Sequence, residues 1–406
     1  MKFANYIPDK LIVRPVYIGK SEPFIGKDII KVFTGQRRVG KTYILYQMMG
    51  IITKKYINAN IIFAGLDLPE FSLITNDKEF LSWLRPLEKA KNNFLFIDEV
   101  QEIENFEKAL LGLLAEKKWD IWCTGSNASM LSNDIAGRLS GRTIEIPVHG
   151  LSYKEFLVFH RLEHSDDSLA GFMKYGGLPY LVNLELKDSV VFEYLKGIYA
   201  TILYKDIVSR EGVRNTQFLE SLVMFLAENT GSIVSANKIS DFLKSQQINM
   251  APVRVLEYLK YLENAFFIVK ARRADLKGKR LFEINQKYYF EDIGLRNTVI
   301  GFRAVDIGKL IENVIILHMR NQGFTVHTGS YMDKEVDFVC ERRNDRIYIQ
   351  AAYLLNNDNT IEREFGNLQL LDDNYPKYVV TMDPVKFDNN KGIIHMQLGE
   401  FLMTEF

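Results

Sequence analysis

Cysteine is nearly missing from this chain: Cys123 and Cys340 are the only two in 406 residues. They lie far apart, outside any C-x-x-C or Cys/His cluster. Neither a disulfide framework nor a zinc site is supported, and both read as structural thiols. Long apolar runs are missing too. No stretch approaches the ~18 residues that a membrane helix needs, and Met1 to Pro8 lacks the apolar centre of a signal peptide. The expectation is a cytoplasmic protein that does not enter a membrane. An excess of one charge is the third absence, since Lys plus Arg and Asp plus Glu stand at 51 each. Without a net field, any nucleic-acid contact has to come from a local patch. What remains is a composition ordinary for globular proteins, 47% hydrophobic and 25% charged. The chain is long enough for roughly two or three domains that each bury a core.

Within it, Gly35-Gln36-Arg37-Arg38-Val39-Gly40-Lys41-Thr42 matches the phosphate-loop pattern G-x-x-x-x-G-K-[ST]. An apolar, β-prone stretch (Ile29, Ile30, Val32, Phe33) precedes it, and Tyr43 to Met49 follows without a helix breaker. The loop is therefore expected between a strand and a helix. Terminal glycines let the backbone curl into a nest of inward N–H groups, and the helix dipole adds positive character. Lys41 is placed to reach the β- and γ-phosphates of a nucleotide, and Thr42 to offer its hydroxyl to Mg²⁺. Magnesium takes few protein ligands and keeps several waters, so an acidic contact is expected further along. Asn93-Phe94-Leu95-Phe96-Ile97-Asp98-Glu99 supplies it: a buried strand ending in two carboxylates, Asp98 for the metal and Glu99 to polarise the attacking water.

Strand and helix patterns then alternate. Asn60 to Ala64 reads as a strand, Phe80 to Ala90 as a helical stretch, and Asn105 to Leu114 as a helix. Trp119 to Asn127 is an apolar strand ending in small polar residues. Alternation of this kind argues for a parallel sheet with both faces covered. The ligand site is expected at the carboxyl ends of its strands, where Thr34, Asp98, Ser126 and Asn127 fall.

These motifs and their order resemble the AAA+ class of P-loop ATPases. More closely, they resemble the prokaryotic family in which an AAA-type core is joined to a winged helix and a restriction-nuclease-like tail. The resemblance implies ATP as the nucleotide and a γ-phosphate-sensing role for Asn127 or Ser126, although Asn127 reads equally well as a helix N-cap. It also implies that Gly137 to Ile146 is an arginine-bearing segment, in which Arg138 and Arg142 stabilise the transferring phosphoryl group from the same chain or a neighbouring one. The alternative is that both are solvated and pair with nearby acids. Leu151 to Phe156 and Tyr175-Gly176-Gly177-Leu178-Pro179 are similar to the family's helical lid. The oligomeric state is left open.

In the middle of the chain, Phe218, Leu219, Leu222, Phe225 and Leu226 recur at helical spacing. Ser235 or Asn237 can cap a second helix through Ile239 and Leu243, and Val253 to Leu262 reads as a third. Two arms, Phe266 to Val269 and Leu281 to Ile284, read as a β-hairpin. The order is that of a winged helix, with Arg254 and Lys260 on the helix that such domains lay in a DNA groove. The hairpin carries Lys270, Arg272, Arg273, Lys277, Lys279 and Arg280, a patch able to release counterions on duplex DNA. Charged hairpin tips also serve solubility, and a protein partner is the other option.

The tail opens near Lys287, continues through a helix bearing Glu312, and then gives strands at Thr325 to His327, Glu335 to Val339 and Arg346 to Ala352. This resembles the PD-(D/E)XK nuclease core, in which an acid on the first helix, an Asp and a Glu-x-Lys gather a divalent metal. Glu312 and Asp337 match. Gln350 stands where the acid belongs and Ala352 where the lysine belongs, so the site reads as degenerate and nuclease activity as the least favoured reading.

The expected architecture is thus α/β: an AAA-type ATPase core over 1–160, a helical lid or linker over 161–212, a winged helix over 213–286 and a nuclease-like domain over 287–406. The expected function is Mg-dependent ATP hydrolysis coupled to the two later modules. The rival is an ATP-occupancy switch that binds DNA or a protein with negligible turnover.

Overall fold

A computed structural model describes residue 8 and residues 11–128, 139, 141–278, 280–332, 334–384 and 391–406. The chain forms two compact units, Met1–His149 with Asn264–Phe266, and Gly150–Glu263 with Phe267–Phe406.

The first unit opens with α1 (Pro15–Ser21) and β1 (Ile30–Thr34). It continues through α2 (Lys41–Lys55), β2 (Asn60–Gly65), α3 (Asp77–Leu84), β3 (Asn93–Asp98) and α4 (Phe106–Ala115). β4 (Trp119–Gly125) and β5 (Thr143–Pro147) complete it. All neighbouring strands run parallel, in the order β2-β3-β4-β1-β5. That arrangement explains the near-continuous apolar runs. β1, β3 and β4 are buried along their whole length, as strands covered on both faces are. Ile30, Val32, Leu95, Ile97 and Ile121 of the strands pack with Phe80, Leu84, Leu110 and Leu113 of the helices. β4 lies between β1 and β3, in register so that Thr34 faces Gly125 and Ile97 faces Cys123. The carboxyl ends of all three strands therefore meet at one edge.

The second unit begins with α5 (Tyr153–His160), α6 (Asp166–Tyr175) and α7 (Asp188–Ala200), which runs on as a π-helix over Thr201–Ser209. Next come α8 (Thr216–Glu228), β6 (Ile233–Val234), α9 (Ala236–Ser245), α10 (Pro252–Asn264), β7 (Ile268–Asp275) and β8 (Arg280–Phe290). Ser235 caps α9 by accepting from Lys238 N at 3.2 Å. The remainder is α11 (Ile293–Ile300), α12 (Ile307–Asn321), β9 (Thr325–Tyr331), β10 (Lys334–Arg342) and β11 (Asp345–Ala351). α13 (Asp358–Gln369), β12 (Lys377–Thr381), β13 (Ile393–Gln397) and α14 (Leu398–Met403) follow.

One eight-stranded sheet, ordered β13-β12-β11-β10-β9-β7-β8-β6, runs through this unit. β7 pairs antiparallel with β8 and parallel with β9. The hairpin is therefore interior to the sheet, and the expected border at 286/287 falls between consecutive residues of β8. Lys287 to Phe290 pair with Ala271 to Ile268, and Tyr288, Tyr289 and Phe290 are buried.

Two segments with no chemistry of their own meet at Asp292. Its carboxylate accepts from Gly177 N at 2.8 Å and caps α11 by accepting from Leu295 N at 2.9 Å. Gly176 (φ +80°) and Gly294 have no room for a side chain: a Cβ would lie 2.5 Å from Asp292 Oδ1 and 2.0 Å from Tyr175 O respectively.

Candidate nucleotide site

The phosphate loop leaves β1 at Gly35, where φ is +147° and a Cβ would sit 2.0 Å from Val148 O. It enters α2 through Gly40 at φ +94°. Only glycine meets the close approach at the first place, and the left-handed turn at the second favours it. Lys41 is buried, and its Nζ donates to Gly35 O and Gln36 O at 2.9 Å each, folding back over its own loop. Arg14, which nothing in the sequence singles out, braces this loop from outside. Its guanidinium donates to Val39 O at 3.1 Å and His149 O at 3.0 Å, and stacks 4.4 Å from the centre of the Tyr17 ring.

Across the edge, the Thr42 hydroxyl donates to Asp98 Oδ2 at 2.8 Å, and Thr124 of β4 donates to Asp98 Oδ1 at 2.6 Å. Thr124 Oγ1 in turn accepts from Glu99 N at 2.8 Å. One hydroxyl thus fixes both carboxylate-bearing residues, which a polar residue in a buried strand level with Asp98 could have signalled. Glu99 adopts a left-handed backbone (φ +58°). Its Oε2 accepts from Ser126 Oγ at 2.8 Å and from Gln101 Nε2. Lys41 Nζ lies 4.0 Å from Glu99 Oε1.

The two carboxyls are driven apart. Burial, and then the charge of Glu99, push Asp98 up to about 6. Burial would raise Glu99 as well, but Lys41, Gln101, Arg37 and Ser126 hold it below the usual glutamate value. Glu99 is thus held ionised, with its oxygens able to accept a hydrogen bond from water. Thr42 Oγ1 and the Asp98 oxygens make a small set of hard oxygen donors facing one another, which fits Mg²⁺ with its remaining positions filled by water and phosphate.

Other expected residues fall differently. Asn127 is buried two residues beyond β4, and the segment it would cap lies outside the described residues. So does Arg138. Arg142 lies away from the loop of its own chain: Ile30 N donates to its carbonyl at 2.8 Å, and Thr143 pairs with Ile30, at the opposite end of β1 from Thr34. Four residues of strand, roughly 13 Å, separate it from the phosphate loop of the same chain.

The eight basic candidates do not form a uniformly free patch. Arg254 pairs with Glu257 at 2.6 Å, Lys270 with Glu263 at 3.4 Å, and Arg273 donates to Ser330 Oγ at 3.0 Å. Lys260, Arg272 and Lys277 are exposed. Lys279 lies outside the described residues, and Arg280 is described only by its backbone pairing with Asp275.

In the tail, Glu312, Asp337 and Gln350 do come together, around a residue that the sequence reading passed over as part of a junction. Lys287 of β8 is 3% exposed on its side chain. Its Nζ lies 2.7 Å from Glu335 Oε1, 3.1 Å from Glu312 Oε2 and 3.4 Å from Asp337 Oδ1. Tyr289, two residues along the same strand, donates to Glu312 Oε2 at 2.8 Å. Asp337 Oδ2 accepts from Ala351 N at 3.0 Å, and the Gln350 carboxamide oxygen accepts from Asp337 N at 3.3 Å. Burial opposes charge on Lys287, yet Tyr289, Glu312, Asp337 and Glu335 hold it well above the usual lysine value. Burial pushes Glu312 up to about 7 despite Lys287. A lysine next to three aromatic residues of a buried strand was the available signal.

Residues 27–157 match a family model described as AAA domain. With the loop, Asp98 and the five-stranded parallel sheet in place, this part of the chain is an AAA-type P-loop ATPase domain. The whole chain belongs to the same family as an uncharacterized protein of Haemophilus influenzae strain Rd, with 34% identity over 381 residues, 91% of this chain and 93% of that one. Uncharacterized protein MJ1544 of Methanocaldococcus jannaschii is 29% identical over 384 residues, 88% and 83% of the two chains. Residues 166–306 match a second model, described as a domain of unknown function (DUF8612). Among solved structures, the Walker-type ATPase PABY2304 of Pyrococcus abyssi is similar at 15% identity and a TM-score of 0.48, over 72% of this chain and 96% of that one. Among the described residues no helix is long and apolar enough to cross a membrane.

Proposed function

We propose that this chain hydrolyses ATP with magnesium at the Gly35 to Thr42 loop. The observation that carries the reading is the convergence of Lys41, Thr42, Asp98 and Glu99 on one strand edge, with Lys41 Nζ 4.0 Å from Glu99 Oε1. The loop N–H groups and the α2 dipole take the phosphates, and Lys41 exchanges Gly35 O and Gln36 O for phosphate oxygens. Thr42 and Asp98 hold the metal, which neutralises phosphate charge when bound. Glu99, kept ionised and oriented by Ser126 and Gln101, accepts the proton of the attacking water.

The later modules enter the same reading. The order helix–strand–helix–helix–strand–strand over α8 to β8 supports a winged helix, and Glu312 with Asp337 beside β10 and β11 supports a nuclease-like outline. Among the described residues, duplex DNA rests on Lys260, Arg272 and Lys277, because Arg254, Lys270 and Arg273 are engaged within the protein. The assigned partner is therefore ATP.

Steady-state phosphate release with calorimetric ATP binding tests this. Glu99→Gln is expected to keep ATP affinity within about threefold and to lower turnover roughly a hundredfold or more. A wild-type rate that the substitution leaves unaltered would assign the site to an occupancy switch.

A further inference from the structure

The nuclease outline of the tail implies a divalent metal between Glu312 and Asp337, and the side chains present there do not fit one. We propose that the Lys287 ammonium is the resident cation of this carboxylate cluster, so that the tail is a metal-free unit in which an internal ion cluster fastens β8 to α12 and β10.

One oxygen of Glu312 and both oxygens of Asp337 are already committed. Glu312 Oε2 takes both Lys287 Nζ and the Tyr289 hydroxyl. Asp337 divides its two oxygens between Lys287 and Ala351 N. Hard cations bind carboxylate oxygens at about 2.0–2.6 Å. An ion that close to Glu312 Oε2 and Asp337 Oδ1 would face an ammonium already 3.1 and 3.4 Å from the same atoms. The repulsion would act where burial leaves little solvent to screen it. Gln350, which replaces the expected acid, directs its carboxamide oxygen at Asp337 N and so stabilises the strand pair.

Part of the negative charge is also offset without a metal. Glu335 is 38% exposed on its side chain and solvent-screened, which leaves Lys287 chiefly against Asp337 and Glu312. The other carboxylate facing Asp337, Glu364 of α13, is buried, and the largely exposed Arg363 donates from Nε to its Oε1 at 2.8 Å while its Oε2 has no hydrogen-bond partner. Among the described residues, no group of three or more Asp, Glu, His or Cys is arranged to hold a metal ion. The cluster joins three elements distant in sequence, and Gly231 (φ +75°) closes over it, where a Cβ would lie 2.9 Å from Glu312 Oε2.

The test uses the full chain carrying Asp98→Asn, which disables the other metal ligand set, without nucleotide. Mn²⁺ binding is read by calorimetry and by the thermal midpoint. The expected result is no shift of the midpoint at millimolar Mn²⁺. Adding Lys287→Met should tighten Mn²⁺ binding roughly tenfold or more, and adding Asp337→Asn on top should remove the gain. A Mn²⁺-dependent rise in the midpoint without the Lys287 change, abolished by Asp337→Asn, would overturn the proposal. So would a folded Lys287→Met chain that gains no Mn²⁺ affinity. If Lys287→Met fails to fold, the midpoint comparison with and without Asp337→Asn decides alone.

Discussion

Lys41 concentrates the chemistry of the nucleotide site, and its substitution separates binding from folding. In the observed state its ammonium donates to two carbonyls of its own loop, so a ligand phosphate replaces these bonds with stronger charge-assisted ones. Lys41→Ala is therefore expected to weaken ATP binding by about 2–3 kcal/mol, roughly 30- to 160-fold, in a calorimetric titration. Unchanged affinity would remove the loop from the site. Thr124 makes the opposite kind of case. Its hydroxyl donates to Asp98 and accepts from Glu99 N, and Thr124→Val keeps the shape while stranding both partners. We expect a loss of about 1–3 kcal/mol in urea unfolding together with slower phosphate release, and near-complete rescue by Thr124→Ser. The two residues also mark what the sequence could disclose. Lys41, Thr42, Asp98 and Glu99 announce themselves because the motif fixes their spacing along the chain. Thr124 and Arg14 do not, since their partners are set by which strands become neighbours, and β4 lies beside β3 and β1 only through the crossovers of the sheet.

Elements were easier to read than their partnerships. The strand runs before Gly35 and up to Asp98 are apolar throughout, and β1, β3, β4 and the helices α8, α9 and α10 all fall where periodicity and caps place them. The π-helix over Thr201–Ser209 left no such mark, and neither did the pairing of β7 with β9. That pairing joins strands separated by β8, α11 and α12 and their flanks, more than forty residues, and local pattern cannot choose a partner at that distance. The role of Lys287 is hidden for the same reason: its acidic partners lie on α12 and β10, far along the chain from β8. The meeting of Gly176-Gly177 with Asp292 is a further case, and it yields a prediction at this scale. Two backbone N–H groups donate to the two oxygens of one buried carboxylate. Asp292→Asn retains a single acceptor and turns an NH₂ toward the second donor. The expected outcome is a loss of about 1–3 kcal/mol of stability by chemical denaturation. A smaller effect in Asp292→Ala than in Asp292→Asn would show that the clash of donors outweighs the lost bonds.

At the scale of the whole molecule the two units keep separate cores. One gathers residues from Ile30 to Leu139, and the others lie within residues 151 to 402. Cores that share no side chains are expected to melt as separate transitions, and each unit carries its own marker. ATP marks the first: at about a hundred times its Kd it adds about 2.7 kcal/mol to the unit that binds it. His318 marks the second. It is buried on α12, facing Thr404 O and Phe401, and burial pulls its pKa from 6.5 down to about 4. The unfolded chain therefore takes up this proton below pH 6.5, while the folded chain resists it until about pH 4. The stability due to neutral His318 is fully present above pH 6.5 and is lost as the pH falls toward 4, by about 2 kcal/mol at pH 5. His318→Gln stays neutral throughout, so the gap between wild type and variant should narrow by that amount from pH 7 to pH 5, and shifts from other carboxyls cancel in the comparison. Scanning calorimetry of both chains, with and without ATP, is expected to show ATP moving one transition and the His318-dependent pH term moving the other. A single transition displaced by both would mean that the two cores, although separate in composition, unfold as one cooperative body.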